Sequence, residues 1–507
     1  MAKRPNILLI MVDQLAASAL PAYGHPLVQA PAIDRLAEGG VLFESAYCNF
    51  PICAPSRFSL LTGRLASRIG AYDNAAEFPA ATPTIAHRLR LAGYRTLVGG
   101  KMHFVGPDQL HGFEERFTTD IYPADFGWTP SWRAPDERFE WFHSMVNVIE
   151  AGPCERSLQI DFDDEVAYAA RRKIFDLARD DDARPFFLMV SFSHPHDPYN
   201  ATQSHWDRYD HDAIPLPATG FIPPDERDPH SLRLWENYDR GDYRVTEDHI
   251  RRARHAYYAM ISYVDDKIGE LMTTLDAAGL AEDTIIVLTA DHGDMLGERG
   301  LWYKMNFFED SARVPLIIHA PARFAPRRVA MNVSLVDLAP TLLDLAGEKS
   351  PALDGHSLAP LMAGDNEGWP DTVLGEYMAE ASIAPIFMVR SGPYKYIACA
   401  VDPPQLYDLA ADPHERVNLA GDPAHGEAER ALAALVSETW DSDALTAQVI
   451  ESQDRRRLVF DALMTGKRSL WDYRTPRDDS KDYIRNTGGL YDTERRARLP
   501  KLHGENS

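Results

Sequence analysis

The chain has 507 residues, 45% of them apolar and 25% charged, which excludes bulk disorder and, at about 150 residues per domain, predicts two to four units. Asp and Glu outnumber Lys and Arg by 76 to 52, a net charge of −24, and such a field repels phosphate backbones, which argues against nucleic-acid partners. An anionic substrate therefore needs a local cationic site, whereas a substrate with a cationic end is drawn in.

Residues 7–12 form an apolar run too short to cross a membrane, and they lead into Asp13 rather than a cleavage site. The run reads as a buried strand, and with no longer apolar span the expected location is the cytoplasm, with no membrane partner. Residues 96–98, 186–192, 284–289 and 316–319 read as further buried strands. They are interleaved with amphipathic helices at 31–39, 84–92, 164–178 and 246–278. The alternation predicts an α/β unit over residues 1–370, a large mixed, mostly parallel sheet sandwiched by helices. Short runs at 373–377, 387–390 and 394–399, a Gly392-Pro393 turn and a helix at about 426–440 predict a smaller α+β unit over 371–442 with a short antiparallel sheet. Residues 443–507 are polar and Arg-rich but carry Trp471, Tyr473, Tyr483 and Tyr491, which predicts an extended tail packed along its own or a neighbouring subunit.

In open α/β sheets ligands gather at the carboxyl ends of strands. Two strands end in acidic clusters, Asp13-Gln14 and Asp291-His292-Gly293-Asp294, so one site assembled from distant segments is expected. Asp13, Asp291 and His292, with Gln14 nearby, offer mostly hard oxygen donors, which suit one divalent cation. Ca²⁺ and Mg²⁺ fit such oxygens, and the imidazole tilts the balance towards Mn²⁺. The four cysteines, Cys48, Cys53, Cys154 and Cys399, lack a paired zinc spacing and are too few for a disulfide scaffold. Only Cys53 has informative neighbours. Pro55 suits a helix start and Gly63 its end, which puts Cys53 at a helix N-terminus with Arg57 four residues on, over the same face. That arrangement fits a low-pKa thiolate, although the Cys-to-Arg loop is shorter than a Cys-based phosphatase needs; a buried structural thiol is the other reading. Lys101 and His103, alternate residues of an extended segment, can address one ligand.

The chain resembles the sulfatase family in Cys53, Pro55 and Arg57 followed by Thr62-Gly63-Arg64, in the N-terminal Pro-Asn-Ile-Leu-Leu-Ile-Met-Val-Asp-Gln, in Asp291-His-Gly-Asp-Met-Leu-Gly-Glu298 and in residues 405–419. The resemblance implies an alkaline-phosphatase-like fold and hydrolysis of a small sulfate ester. It also implies oxidation of Cys53 to formylglycine by a formylglycine-generating enzyme, the aldehyde hydrate then serving as nucleophile beside the cation held by Asp13, Gln14, residue 53, Asp291 and His292. It gives Lys101 and His103 contacts to sulfate, matches His196 in Ser193-His-Pro-His-Asp-Pro198 to the family's Pro-His-x-Pro histidine, and matches Lys304 to its later cationic residue. Many sulfatases carry Asp-Asp and Asp-Asn at the two acidic motifs. Here they are Asp13-Gln14 and Asp291-His292, variants similar to the branch of choline-sulfatases and phosphonate monoester hydrolases, which leaves the metal open.

Residues 101–116, 120–130, 193–199, 297–308 and 379–382 resemble choline-sulfatases. This resemblance implies choline O-sulfate as substrate and nominates Trp128, His143, Glu380 and Asp492 for the quaternary ammonium, which aromatic faces and carboxylates attract. Asn74 reads equally as a turn asparagine and as a substrate contact. A phosphonate monoester or phosphodiester hydrolase and an arylsulfatase are the alternatives on the same site. A homo-oligomer, dimer or tetramer, is expected, with the tail crossing between subunits to bring in Asp492.

Overall fold

A computed structural model describes residues 4–135, 137–139, 141–238, 243–476, 494–495 and 497–499. Asp492, and the tail contact expected of it, lie outside these residues.

Asn6–Val12 and Phe186–Phe192 are apolar except for Asn6 and Ser191, and every residue of the two but Asn6 is buried. A strand that is apolar on both faces belongs at the centre of a sheet covered on both sides. Accordingly the two pair in parallel, and Thr284–Thr289 and Arg95–Gly100 join them in parallel on either flank. The full sheet has eight strands in the order Arg327–Ser334, Val41–Tyr47, Arg313–His319, Thr284–Thr289, Asn6–Val12, Phe186–Phe192, Arg95–Gly100, Glu115–Arg116. Only Arg313–His319 runs antiparallel to its neighbours, so the sheet is mixed and mostly parallel. Two helix groups cover it: Pro31–Gly39, Leu158–Arg179 and Glu247–Ala277 pack together, as do Cys53–Thr62, Ile85–Leu91 and Leu338–Leu345.

The strands Val41–Tyr47 and Arg327–Ser334 went unassigned from sequence. Their register shifts at the polar Glu44-Ser45 and opposite it, which interrupts the apolar pattern that marks the other strands. Thr372–Tyr377, Ile386–Ser391, Tyr394–Cys399 and Gln405–Asp408 form a separate four-stranded antiparallel sheet, followed by the helix Gly426–Thr439.

Residues expected as the start of a tail instead form a 22-residue helix, Ser442–Leu463, capped by Asp441. It packs on its own chain through Leu445, Val449, Ser452, Gln453 and Arg456, all buried. Beyond it Trp471 meets Phe126 edge-on and Arg116 lies over Tyr473. No helix among the described residues is long and apolar enough to cross a membrane.

Candidate active site

Four consecutive parallel strands deliver the site, because each ends on a residue the chemistry needs. Thr284–Thr289 leads to Asp291 and His292, Asn6–Val12 to Asp13 and Gln14, Phe186–Phe192 to His196, and Arg95–Gly100 to Lys101 and His103. Gly100 makes the last handover possible. Its φ is +95°, and a Cβ there would lie 1.8 Å from the carbonyl oxygen of Ser191. Behind this row, the phenol of Tyr257 on the long helix accepts from the amide of Ala16 and donates to the carbonyl of Gln14, clamping the turn after Asp13.

Cys53 is the first residue of the helix Cys53–Thr62, which ends on Gly63 at φ +66°. Its Sγ lies 3.2 Å from Nε2 of His292 and 3.6 Å from Nζ of Lys101. Burial pushes the thiol's pKa up, but Lys101, Lys304 and His292 together outweigh it and hold the pKa well below the ordinary thiol range. Arg57, fully buried one turn on, binds Asp291 through Nε at 2.8 Å and Asp13 through Nη2 at 3.1 Å, and also donates to Ser191 and to the carbonyl of Lys101. Lys101 forms a second ion pair with Asp13.

The donor set fits a divalent cation. Ligand atoms of Asp13, Cys53, Asp291 and His292 lie within 4.8 Å of one another and all four residues are buried. Oδ1 of Asp13 has no hydrogen-bond partner among the described residues. Nδ1 of His292 faces the carbonyl of Gly293 at 3.0 Å, a bond that leaves the Nε2 lone pair aimed at the cluster, as ligating histidines are held. Gln14 is placed differently. Its carboxamide oxygen accepts from Lys304 at 2.6 Å, its amide donates to Asp294 at 2.6 Å, and it reaches the cluster through its backbone N–H on Asp291.

Lys304 also donates to Nε2 of His196 at 2.7 Å. Lysine is only a donor, so His196 carries its proton on Nδ1, which faces the carbonyl of Asp197 at 2.6 Å. Burial works against the Asp197 carboxylate, yet His196, His143 and Lys304 hold its pKa far below the usual range. His103 sits opposite, at φ +57°, with both ring nitrogens buried and without a hydrogen-bond partner among the described residues.

These groups open onto a cavity of about 460 Å³ whose lining includes Cys53, His103, His196 and Lys304. Asn74, Trp128, His143 and Glu380, each singled out from sequence, line the same cavity. Asn74 accepts from the amide of Ala54 through Oδ1 at 3.0 Å, which leaves its amide nitrogen as a donor. Tyr122 and Trp128 meet edge-on with centroids 5.2 Å apart, and Trp141 stacks beyond Trp128 at 6.3 Å. Burial and Lys304 lower the pKa of His143 to about 4, so it adds no positive charge at neutral pH. Burial raises the pKa of Glu380 to about 7.

Sequence reasoning missed Tyr122, Trp141 and Phe142 in this wall, although Tyr122 falls in a stretch that had been singled out and the Phe139-Glu140-Trp141-Phe142-His143 run is dense in rings. It also missed Asp120, whose carboxylate accepts from the amides of Met102 and His103. No local signal marks an aspartate as a cap for a loop seventeen residues away.

The sulfatase family profile matches residues 5–348, a profile for the C-terminal region of N-sulphoglucosamine sulphohydrolase matches 297–441, and one for the choline sulfatase C-terminus matches 447–499. The chain is 48% identical to a choline-sulfatase of Rhizobium meliloti (strain 1021), over 98% of this chain and 99% of that protein. It is 30% identical to an arylsulfatase of Clostridium perfringens (strain 13 / Type A), over 82% and 90%. Among solved structures it superposes on the phosphonate monoester hydrolase of Agrobacterium radiobacter with a TM-score of 0.69 at 26% identity, covering 88% of this chain and 96% of that one.

Proposed function

The chain belongs to the sulfatase family and is a sulfuric ester hydrolase, and from that premise we propose that its substrate is choline O-sulfate, cleaved to choline and sulfate. The observation that carries this reading is what lines the cavity. Beside residue 53 stand the ammonium groups of Lys101, 3.6 Å from Sγ, and of Lys304, while Tyr122, Trp128, Trp141 and Phe142 line the same cavity with the carboxyl of Glu380. A quaternary ammonium donates no hydrogen bond and is attracted by ring faces and a nearby carboxylate. The net charge of −24 favours that end of the ester, and the cationic cluster receives the other.

In this reading Cys53 is oxidised to formylglycine by a formylglycine-generating enzyme. An aldehyde hydrate at that position supplies a nucleophilic oxygen and lets the sulfated residue release sulfate by elimination, which a serine or cysteine ester cannot do. Asp13, Asp291 and His292, beside residue 53, would hold Ca²⁺ or Mn²⁺, with Mg²⁺ a further fit; Gln14 would join them only by releasing Lys304. The cation supplies Lewis acidity to the nucleophilic oxygen. Arg57 keeps the two carboxylates in register, and Lys101 and Lys304 offset charge on the sulfuryl oxygens as the ester bond breaks. His103, whose ring nitrogens lack protein partners, is the candidate acid for the leaving alcohol, with the Lys304–His196 pair as the alternative.

The match of the choline sulfatase C-terminal profile to residues 447–499 supports including Asp492 in recognition, delivered by a neighbouring subunit of a dimer or tetramer. A cytoplasmic location belongs to the same reading. The likeness to a phosphonate monoester hydrolase favours a second one, in which the same nucleophile and cationic cluster act on phosphonate monoesters. Steady-state rates on choline sulfate, phenyl sulfate and a phosphonate monoester, with peptide mass spectrometry of residue 53 in the same preparation, test both. Choline sulfate is expected to give the highest kcat/KM; a preference for either other ester, or full activity with only unmodified Cys53, overturns the corresponding part.

A further inference from the structure

The walls of the cavity that carry Asn74 and Trp128 come from separate loops, and one buried side chain outside the cavity joins them. Arg456, on the helix Ser442–Leu463, is 4% exposed. Its Nη1 and Nη2 donate to the two carboxylate oxygens of Asp73 at 2.6 Å each, the fork geometry that fixes an arginine most firmly. Nη1 also reaches Oγ1 of Thr129 at 3.3 Å. Asp73 precedes Asn74 in the chain and Thr129 follows Trp128. The same carboxylate accepts from the amide of Ala75 at 2.9 Å, so the loop bearing Asn74 is held on both sides of that residue. On the arginine's own side, Oγ of Ser452 lies 3.2 Å from Nε and sets the plane of the guanidinium. One turn earlier, Gln453 accepts from the amide of Trp132 at 2.8 Å and fastens the second loop again.

We propose that Arg456 is a positioning residue for substrate specificity: it clasps the Asn74 loop to the Trp128 loop and so sets the spacing of the two cavity walls that carry those side chains. Arg456 touches neither substrate nor residue 53, so its loss acts on how the non-sulfate end of the ester is gripped. The choice of choline sulfate as reporter rests on the reading above. An aromatic face attracts a cation only within about 6 Å of the ring, so a wall that drifts weakens the grip without disturbing Lys101, Arg57 or Lys304.

Two variants test the clasp. Arg456→Met alone would strand Asp73 as a buried, unpaired carboxylate, so it is made together with Asp73→Asn. Arg456→Lys keeps a positive charge against Asp73 but cannot span to Thr129 as well. Both are expected to raise KM for choline sulfate about tenfold or more, to leave kcat within about threefold, and to change KM for phenyl sulfate far less. Wild-type protein is measured first on both esters. If it prefers phenyl sulfate, the choline reading fails, and the clasp is then judged by the same KM-against-kcat split on phenyl sulfate. An unchanged KM for the preferred ester, a loss confined to kcat, or complete recovery by Arg456→Lys overturns the clasp, the last because charge neutralisation alone would then suffice.

Discussion

Nζ of Lys304 lies 2.7 Å from Nε2 of His196 and donates to it, so the family's histidine presents its acceptor to a lysine rather than to the cavity. The same ammonium donates to Gln14 at 2.6 Å and borders the cavity beside Cys53. Lys304 is thereby fixed from two sides before substrate arrives, which is what electrostatic preorganisation requires. Lys304→Met is expected to lower kcat by about 10²–10³-fold, the scale of removing one donor from a preorganised anion site, with a smaller effect on KM. Steady-state kinetics on choline sulfate check this. A loss below about tenfold would assign the sulfuryl charge to Lys101 instead.

Arg57 pairs with both Asp13 and Asp291, and all three are fully buried. Two adjacent carboxylates repel, and a bound cation relieves what the guanidinium leaves. Stripping divalent metal is therefore expected to abolish turnover and to lower the melting temperature, and Ca²⁺ or Mn²⁺ should restore both. The stabilisation lost is about 4 kcal/mol if metal was present at 1,000 times its Kd. Calorimetry with and without chelator measures it, and an unchanged melting point with full activity would remove the cation from the site.

Asp120 accepts from the amides of Met102 at 3.1 Å and His103 at 3.0 Å, while Nη2 of Arg116 holds the same oxygen at 2.7 Å. His103 needs this support because its φ of +57° is disfavoured for any residue with a side chain. Asp120→Ala should let the ring swing from the reacting centre and lower kcat/KM about 10²-fold, as a misplacement near 1 Å does. Asp120→Asn, which keeps one acceptor oxygen, should lose less. Equal losses in the two variants would mean that the charge matters and not the hold on the backbone.

The central strands and the residues at their ends were legible in the sequence because burial on both faces demands a nearly unbroken apolar run, and Asp13 and Asp291 follow such runs, while Cys53 stood out by Pro55 and Arg57 at a helix start. The Val41–Tyr47 strand was not, since Glu44 and Ser45 sit where its register shifts. The helix Ser442–Leu463 was hidden for another reason: the residues it buries include the polar Ser452, Gln453 and Arg456, and Arg456 finds its ion-pair partner only in Asp73, nearly 400 positions away. Single residues of the cavity came through motif resemblance, but the wall of Tyr122, Trp141 and Phe142 is a product of loop packing. A local pattern cannot announce it.

Glu380 offers a test that reads the proposed cation grip directly. Burial, with Asp73 adding repulsion, raises its pKa to about 7, against the pull of Lys304. The folded protein therefore keeps this proton where the unfolded chain has lost it. Its contribution to stability is full below the unfolded value near 4.5 and declines as pH rises through about 7. Substrate binding has the opposite sign, because a quaternary ammonium is attracted by the ionised carboxylate and not by the protonated one. KM for choline sulfate should thus fall as pH rises through about 7, by about five- to thirtyfold if ionisation contributes roughly 1–2 kcal/mol to the bound cation, while KM for phenyl sulfate stays level. His143, with its pKa near 4, does not titrate in that window. Glu380→Gln should hold KM at the high, acid-side value throughout and abolish the slope, and the slope is the discriminating quantity. If it persists in Glu380→Gln, another group carries it and Glu380 has no part in gripping the cation.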